Sequence, residues 1–104
     1  MQVKNKQIYK LKKKTIIEDN EGGKYPKYLD LIDIECYIYP ASGRVQAEMY
    51  GERLNYILNM LYDGETEIFE GDCIVYNNLD YRVISIKNYT KHKLIELEKI
   101  IWVI

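Results

Sequence analysis

The chain has 104 residues, of which 47% are hydrophobic and 30% are charged. This length fits one domain, and the composition is typical of a globular fold rather than of a disordered chain. No apolar run approaches the roughly 20 residues that span a bilayer, and the first residues lack the apolar core of a signal peptide. We therefore expect one domain over residues 1–104, made in the cytoplasm.

The charge is unevenly distributed along the chain. Residues 1–14 contain six lysines and no acidic residue, whereas the remainder has nine basic and 16 acidic side chains. A basic N-terminal arm on an acidic body favours an acidic partner surface or nucleic acid. The alternative is an edge strand on which lysine side chains discourage aggregation.

The first 40 residues predict strands. Residues 7–11 fit a first strand, which residues 15–17 either continue or follow as the start of a partner strand. Residues 18–23 form a turn cluster, and Pro26 marks a further break. Residues 29–39 alternate in the way that is typical of a half-buried strand. The apolar side of that strand consists of Ile32, Ile34, Cys36 and Ile38.

The next segment predicts a short helix. Ser42 is a good helix N-cap and Gly51 a good C-terminal cap, so residues 41–51 fit about two turns. Residues 54–62 are ambiguous, because their apolar positions fit an amphipathic helix as well as a strand.

The last third predicts short strands at 73–76, 81–89 and 93–98, with a tight turn at Asn77-Asn78. This pattern is typical of a small barrel or sandwich. Five large apolar residues follow at 100–104, and they either complete the core or add a strand to a neighbouring molecule. Cys36 and Cys73 lie within apolar strands and lack metal-site spacing, so we expect two reduced, packed thiols.

No pattern for catalysis, metal binding or cofactor binding is found. His92 is the single histidine and sits in a turn among lysines. Phosphate-binding glycine motifs and Cys/His clusters are absent from the sequence. The Glu65/Glu67 and Glu96/Glu98 pairs fit a solvated strand face. Eleven tyrosines suit strand surfaces and protein contacts. We therefore expect a binding or structural protein rather than an enzyme.

Several short motifs occur in an order that resembles a known family. Residues 40–43 read Pro-Ala-Ser-Gly and precede a short element ending in Gly51, residues 70–74 read Glu-Gly-Asp-Cys-Ile, and residues 81–86 and His92 follow. Across residues 28–98 this order resembles the small head-closure proteins of tailed bacteriophages, also called stoppers or head–tail connector proteins.

The resemblance implies a mainly β protein: a small β-barrel with one short α-helix, in which residues 54–62 are a strand. It also implies a homo-oligomeric ring, usually of twelve copies, in the virion neck. The ring sits below the portal and adaptor proteins, retains packaged DNA without sequence-specific binding, and docks the tail. Alternatives are a tail-completion or tail-terminator protein and, less favoured, a small nucleic-acid-binding β-barrel.

The hypothesised protein interface combines three groups of residues. The basic segment offers charge, the segment after Pro40 carries family-like motifs, and the last residues offer apolar contact area. The set is Lys4, Lys6, Lys12, Lys13, Lys14, Ser42, Arg44, Tyr50, Arg53, Ile101, Trp102 and Ile104.

Overall fold

Six antiparallel strands close into a barrel in the order β1-β2-β3-β6-β5-β4. The computed structural model describes residues 3–18 and 20–101. The predicted mainly β barrel with one short helix is confirmed. Its elements are β1 (Gln7–Glu18), β2 (Lys24–Pro40), α1 (Arg44–Tyr50), a 3₁₀ helix (Gly51–Tyr56), β3 (Ile57–Tyr62), β4 (Cys73–Tyr76), β5 (Leu79–Asn88) and β6 (Lys93–Lys99).

The core is built by alternate residues of the strands, because successive side chains of a strand point to opposite faces. Ile34, Cys36 and Ile38 of β2 are buried, as predicted, and Ile32 packs against them. Cys36 and Cys73 are both buried and free, which confirms two packed thiols. Burial raises the pKa of each thiol to about 12, so neither forms a thiolate readily.

β1 and β2 continue beyond the barrel as a two-stranded ribbon. Residues 13–18 of β1 pair with residues 24–29 of β2, after a register shift at Lys12/Lys13. The strand runs through Pro26, so the predicted break at that residue is wrong. β2 pairs with β3 over Tyr37–Pro40, far from Pro26. Proline is tolerated there because that part of β2 is an edge strand.

The helix occupies the predicted segment, but its N-terminal cap differs from the prediction. Gly43, at φ 94°, precedes α1 and no side chain caps the helix. The Ser42 backbone N–H instead donates to Gln46 Oε1 at 3.2 Å. Gly51 ends the helix as predicted and has a positive φ of 56°, but its ψ of −126° lies outside the left-handed helical region expected of the cap. The strand expected over 54–62 begins only at Ile57, because the chain first forms the 3₁₀ helix.

The Asp72 carboxylate holds the loop between β3 and β4 onto β1. Asp72 is 3% exposed. Its oxygens accept the backbone N–H groups of Lys14 and Phe69, each at 3.0 Å, and the Lys13 Nζ at 3.1 Å. Lys13 also donates to the Glu67 carbonyl. The Glu-Gly-Asp motif is therefore a fold determinant, with Gly71 at φ 94° supplying the turn.

Replacing this carboxylate should be costly. We expect Asp72→Ala to lower the free energy of unfolding by about 3 kcal/mol, because two backbone N–H groups and the Lys13 ammonium lose their hydrogen-bond acceptor. Urea unfolding measures the change. Glu70→Ala, at an exposed position in the same turn, is the matched control and should stay within about 0.5 kcal/mol of the parent. Equal stabilities for the two variants would contradict the assigned role of Asp72.

Candidate assembly surfaces

Polar side chains attach α1 to the outside of the barrel over β3 and β6. The Gln46 side-chain amide donates to Asn59 Oδ1 at 2.7 Å and to Glu96 Oε2 at 3.0 Å. Asn59 donates back to Gln46 Oε1 at 3.1 Å. Asn59 and Glu96 are 5% and 2% exposed. The expectation that Glu96 is solvated is therefore wrong, because the helix covers its strand face.

Glu96 remains ionised in this covered position. Burial raises its pKa, but hydrogen bonds from Gln46 and Tyr50 and the nearby charge of Lys87 outweigh that effect, so the pKa lies below its ordinary value. Burial and the same hydrogen bond to Glu96 raise the pKa of Tyr50 to about 12. The raised pKa of Tyr50 and the lowered pKa of Glu96 are both expected when the Tyr50 hydroxyl donates a hydrogen bond to the Glu96 carboxylate.

A second carboxylate anchors the 3₁₀ helix. The Arg53 guanidinium donates to both Glu98 oxygens, at 2.7 and 2.8 Å, and Arg82 lies 3.6 Å from one of them. The Arg53 hydrogen bonds hold the pKa of Glu98 below its usual range. A bidentate pair of this kind fixes orientation as well as charge.

The outward side of α1 is apolar where it faces solvent. No residue of α1 is buried, and Val45 and Met49 are 72% and 56% exposed. Arg44 and Glu48 flank them and pair at 3.2 Å. We call residues 44–56 the helix surface. Val45 and Met49 lie one helical turn apart, so their side chains are neighbours on the helix.

Most lysines of the basic segment have partners within the chain. Lys12 pairs with Asp80 at 3.1 Å, and Lys13 contacts Asp72 as described above. Lys6 lies 3.3 Å from Asp63. The pKa of that carboxyl is lowered, first by the backbone N–H of Val3 and then by Lys6. Lys4 and Lys14 are exposed.

The outward face of β1 and β2 forms a second surface, beside the β3–β6 seam that α1 covers in the barrel order. We define the strand surface as Ile8, Lys10, Leu31 and Asp33. Lys10 and Asp33 are opposite each other and form an ion pair. Ile8 and Leu31 lie on either side of that pair along the sheet and are 63% and 65% exposed.

The hypothesised interface residues therefore separate into distinct places. Arg44, Tyr50 and Arg53 lie on the helix surface and Ser42 lies just before it, although Tyr50 and Arg53 also bind the barrel. The lysines lie on β1 or just before it, and Lys6 contacts Asp63, which follows β3. Ile101 is exposed, whereas Trp102 and Ile104 lie outside the described residues.

The three residues that attach α1, namely Gln46, Asn59 and Glu96, were missed by sequence reasoning. Only Asn59 gave a signal, because it interrupts the otherwise apolar run of β3, whereas Glu96 between Ile95 and Leu97 fits ordinary strand alternation. A polar residue flanked by buried ones indicates a covered polar contact when another element lies above it.

Titratable groups elsewhere form no metal-binding cluster among residues 3–18 and 20–101. His92 stacks on Tyr89 with ring centroids 5.1 Å apart. In the same part of the chain, no helix has the length and hydropathy needed to cross a membrane.

Comparison with known proteins identifies a shared fold. No family model matches this sequence. No curated protein matches it either. Among solved structures, the phage-like element PBSX protein xkdH from Bacillus subtilis superposes with a TM-score of 0.59 at 13% identity. The superposition covers 92% of this chain and 96% of that protein. The two proteins therefore have the same overall fold.

The Glu96 contacts predict a pH dependence of stability. A carboxyl whose pKa is lowered by folding stabilises the fold above its unfolded value, near 4.5, and this contribution disappears as the pH falls through the folded value. We expect Glu96→Gln to cost about 1–3 kcal/mol at pH 7 and to flatten the loss of stability below pH ~5.

Unfolding curves at several pH values measure this difference. Glu48→Gln is the control, because Glu48 is exposed and pairs with Arg44 in solvent, so it should cost less than about 0.5 kcal/mol. A Glu96→Gln variant with the parent's pH profile would show that this carboxylate does not hold the helix.

Proposed function

We propose that this protein is a structural component of a tailed-phage virion and, more specifically, a head-closure subunit of the neck. It forms a ring below the portal and adaptor, retains packaged DNA and presents the surface on which the tail docks. The observation that supports this most is the fold shared with a phage-like element protein over 92% of the chain. The order of the Pro-Ala-Ser-Gly and Glu-Gly-Asp motifs favours the head-closure assignment.

The placement of the two exposed surfaces suits ring formation. A ring forms when one face of each subunit binds a different face of the next. The helix surface lies over β3 and β6, while the strand surface lies on β1 and β2.

The chemistry of the two surfaces is compatible with such a contact. Each has two exposed aliphatic side chains beside an ion pair: Val45 and Met49 on one, Ile8 and Leu31 on the other. Each ion pair can exchange partners across an interface, because Arg44 of one copy can pair with Asp33 of the next and Lys10 with Glu48. This complementarity gives register and specificity in addition to apolar contact area.

Imaging of purified particles tests the assignment. Electron cryomicroscopy of the phage or prophage particle that encodes this chain should show it as a ring between the portal–adaptor complex and the tail. Density at the end of the tail tube would instead indicate a tail-completion or tail-terminator protein. A steep, salt-dependent affinity of the purified protein for single-stranded DNA or RNA would favour a nucleic-acid-binding barrel.

A double variant tests the helix surface itself. We expect Val45→Glu with Met49→Glu to leave the thermal stability of the isolated protein close to that of the parent, since both side chains are exposed, and to abolish its attachment to DNA-filled heads. Particle-bound and free protein are separated on a gradient and quantified. Tyr89→Glu, which is 53% exposed on the β5–β6 loop, is the control and should attach normally. Normal attachment of the double variant would exclude the helix surface from the contact.

A further inference from the structure

Strands β1 and β2 end at different levels of the barrel. β1 begins at Gln7, which lies opposite Cys36, whereas β2 continues to Pro40. Over residues 37–40, β2 pairs with β3 along one edge. On the other edge, which faces β1, no residue in the described part of the chain forms a backbone hydrogen bond with these residues. We call this open edge of residues 37–40 the notch.

A cavity of about 360 Å³ lies at the notch. Tyr37 and Ile38 line it on the β2 side, Tyr76 and Asn77 line it at the end of β4, and Gln7 lines it at the start of β1. In the barrel order β1 is the strand between β4 and β2. The open space is therefore where β1 would run if it began a few residues earlier.

The chain preceding β1 leaves this path at Asn5. Asn5 has a φ of 60°, a left-handed conformation that interrupts a strand. The Val3 N–H donates to Asp63 Oδ2 at 3.1 Å, and the Lys6 Nζ donates to the other oxygen at 3.3 Å. Asp63 follows β3, which is on the far side of β2 from β1. Residues 3–6 are therefore bound to Asp63 and do not extend β1.

The register of β1 and β2 defines the alternative position. Continued upstream of Gln7, it gives the pairs Lys6–Tyr37, Asn5–Ile38 and Lys4–Tyr39. Because alternate residues of a strand share a face, Lys4 and Lys6 would lie on the outward side. The Tyr37 and Tyr39 rings, which alternate with a buried residue, stack on that side with centroids 5.2 Å apart. An ammonium group beside a tyrosine ring is a favourable cross-strand contact.

The two positions of the segment are stabilised by different contacts. The Asp63-bound position buries Val3, which is 4% exposed, and gives the carboxylate two hydrogen bonds. The extended position would give partners to backbone groups at the notch and would release Asn5 from a conformation that is unfavourable for a residue with a Cβ. The contacts of Asp63 therefore decide between them.

We propose that residues 3–6 form a switch segment, which leaves the notch open while it is bound to Asp63 and pairs with the notch as an extension of β1 when these contacts are lost. Extension adds Lys4 and Lys6 to the strand surface, where Lys10 and Asp33 are paired. That surface then fits an acidic partner. The inference does not depend on the proposed neck function, because it concerns the fold of one chain.

Amide hydrogen exchange of the full-length protein, followed by NMR, measures the position of the segment. In the parent we expect rapid exchange at residues 4–6. Asp63→Ala removes the acceptor and should slow exchange about tenfold at one or more of these amides, with cross-strand NOEs between residues 4–6 and 37–39 in the register given above. Glu65→Ala, at an exposed position in the same loop, is the control and should exchange as the parent does.

A second pair of variants changes the backbone preference and leaves Asp63 in place. Asn5→Val disfavours the left-handed conformation, so it should favour the extended position, whereas Asn5→Gly tolerates that conformation and should keep the Asp63-bound position. Asn5 is exposed, so this pair carries the test if Asp63→Ala does not fold. Rapid exchange at residues 4–6 in folded Asn5→Val would overturn the proposal, as would equal protection in the valine and glycine variants.

Discussion

Closure of the barrel depends on a short seam between β1 and β4. Three residue pairs join these strands, over Lys10–Lys12 of β1. On each side of this seam a lysine reaches a carboxylate: Lys12 bonds to Asp80 of β5, and Lys13 to Asp72 before β4. The ammonium groups of these lysines compensate the charges of carboxylates that are largely removed from solvent. Much of the charge in the basic segment is therefore used to fold the protein, and less of it remains for partners than the charge distribution alone indicates.

Features set by neighbouring residues were predictable from the sequence. The alternation in β2 identified its buried face, and Asn77-Asn78 adopts the positive φ angles, 51° and 62°, that a two-residue hairpin turn requires. The hydrogen-bond partners of Ser42 and Glu96 were not predictable in this way. Both depend on the Gln46 side chain. Its Oε1 accepts a hydrogen bond from the Ser42 backbone N–H, and its Nε2 donates one to Glu96. That contact joins residues 50 positions apart, and no local pattern encodes it.

The helix surface was predictable only in part, for a related physical reason. The motif order drew attention to Ser42, Arg44, Tyr50 and Arg53, but the residues that hold them in place lie on β3 and β6. An isolated seven-residue helix is unstable in water, so α1 exists because tertiary contacts retain it. Those contacts come from Asn59, Glu96 and Glu98, whose roles become visible only when the strands are arranged beneath the helix.

The attachment of α1 reverses the usual distribution of polar and apolar side chains. A surface helix of a globular protein normally buries its apolar stripe and exposes its polar face. Here Gln46 and Tyr50 face the barrel through hydrogen bonds, while Val45 and Met49 face solvent. Hydrogen bonds and ion pairs fix the helix in one orientation, so the apolar ridge is held rigidly rather than absorbed into the core. A ridge presented in this way loses little conformational entropy when a partner binds it.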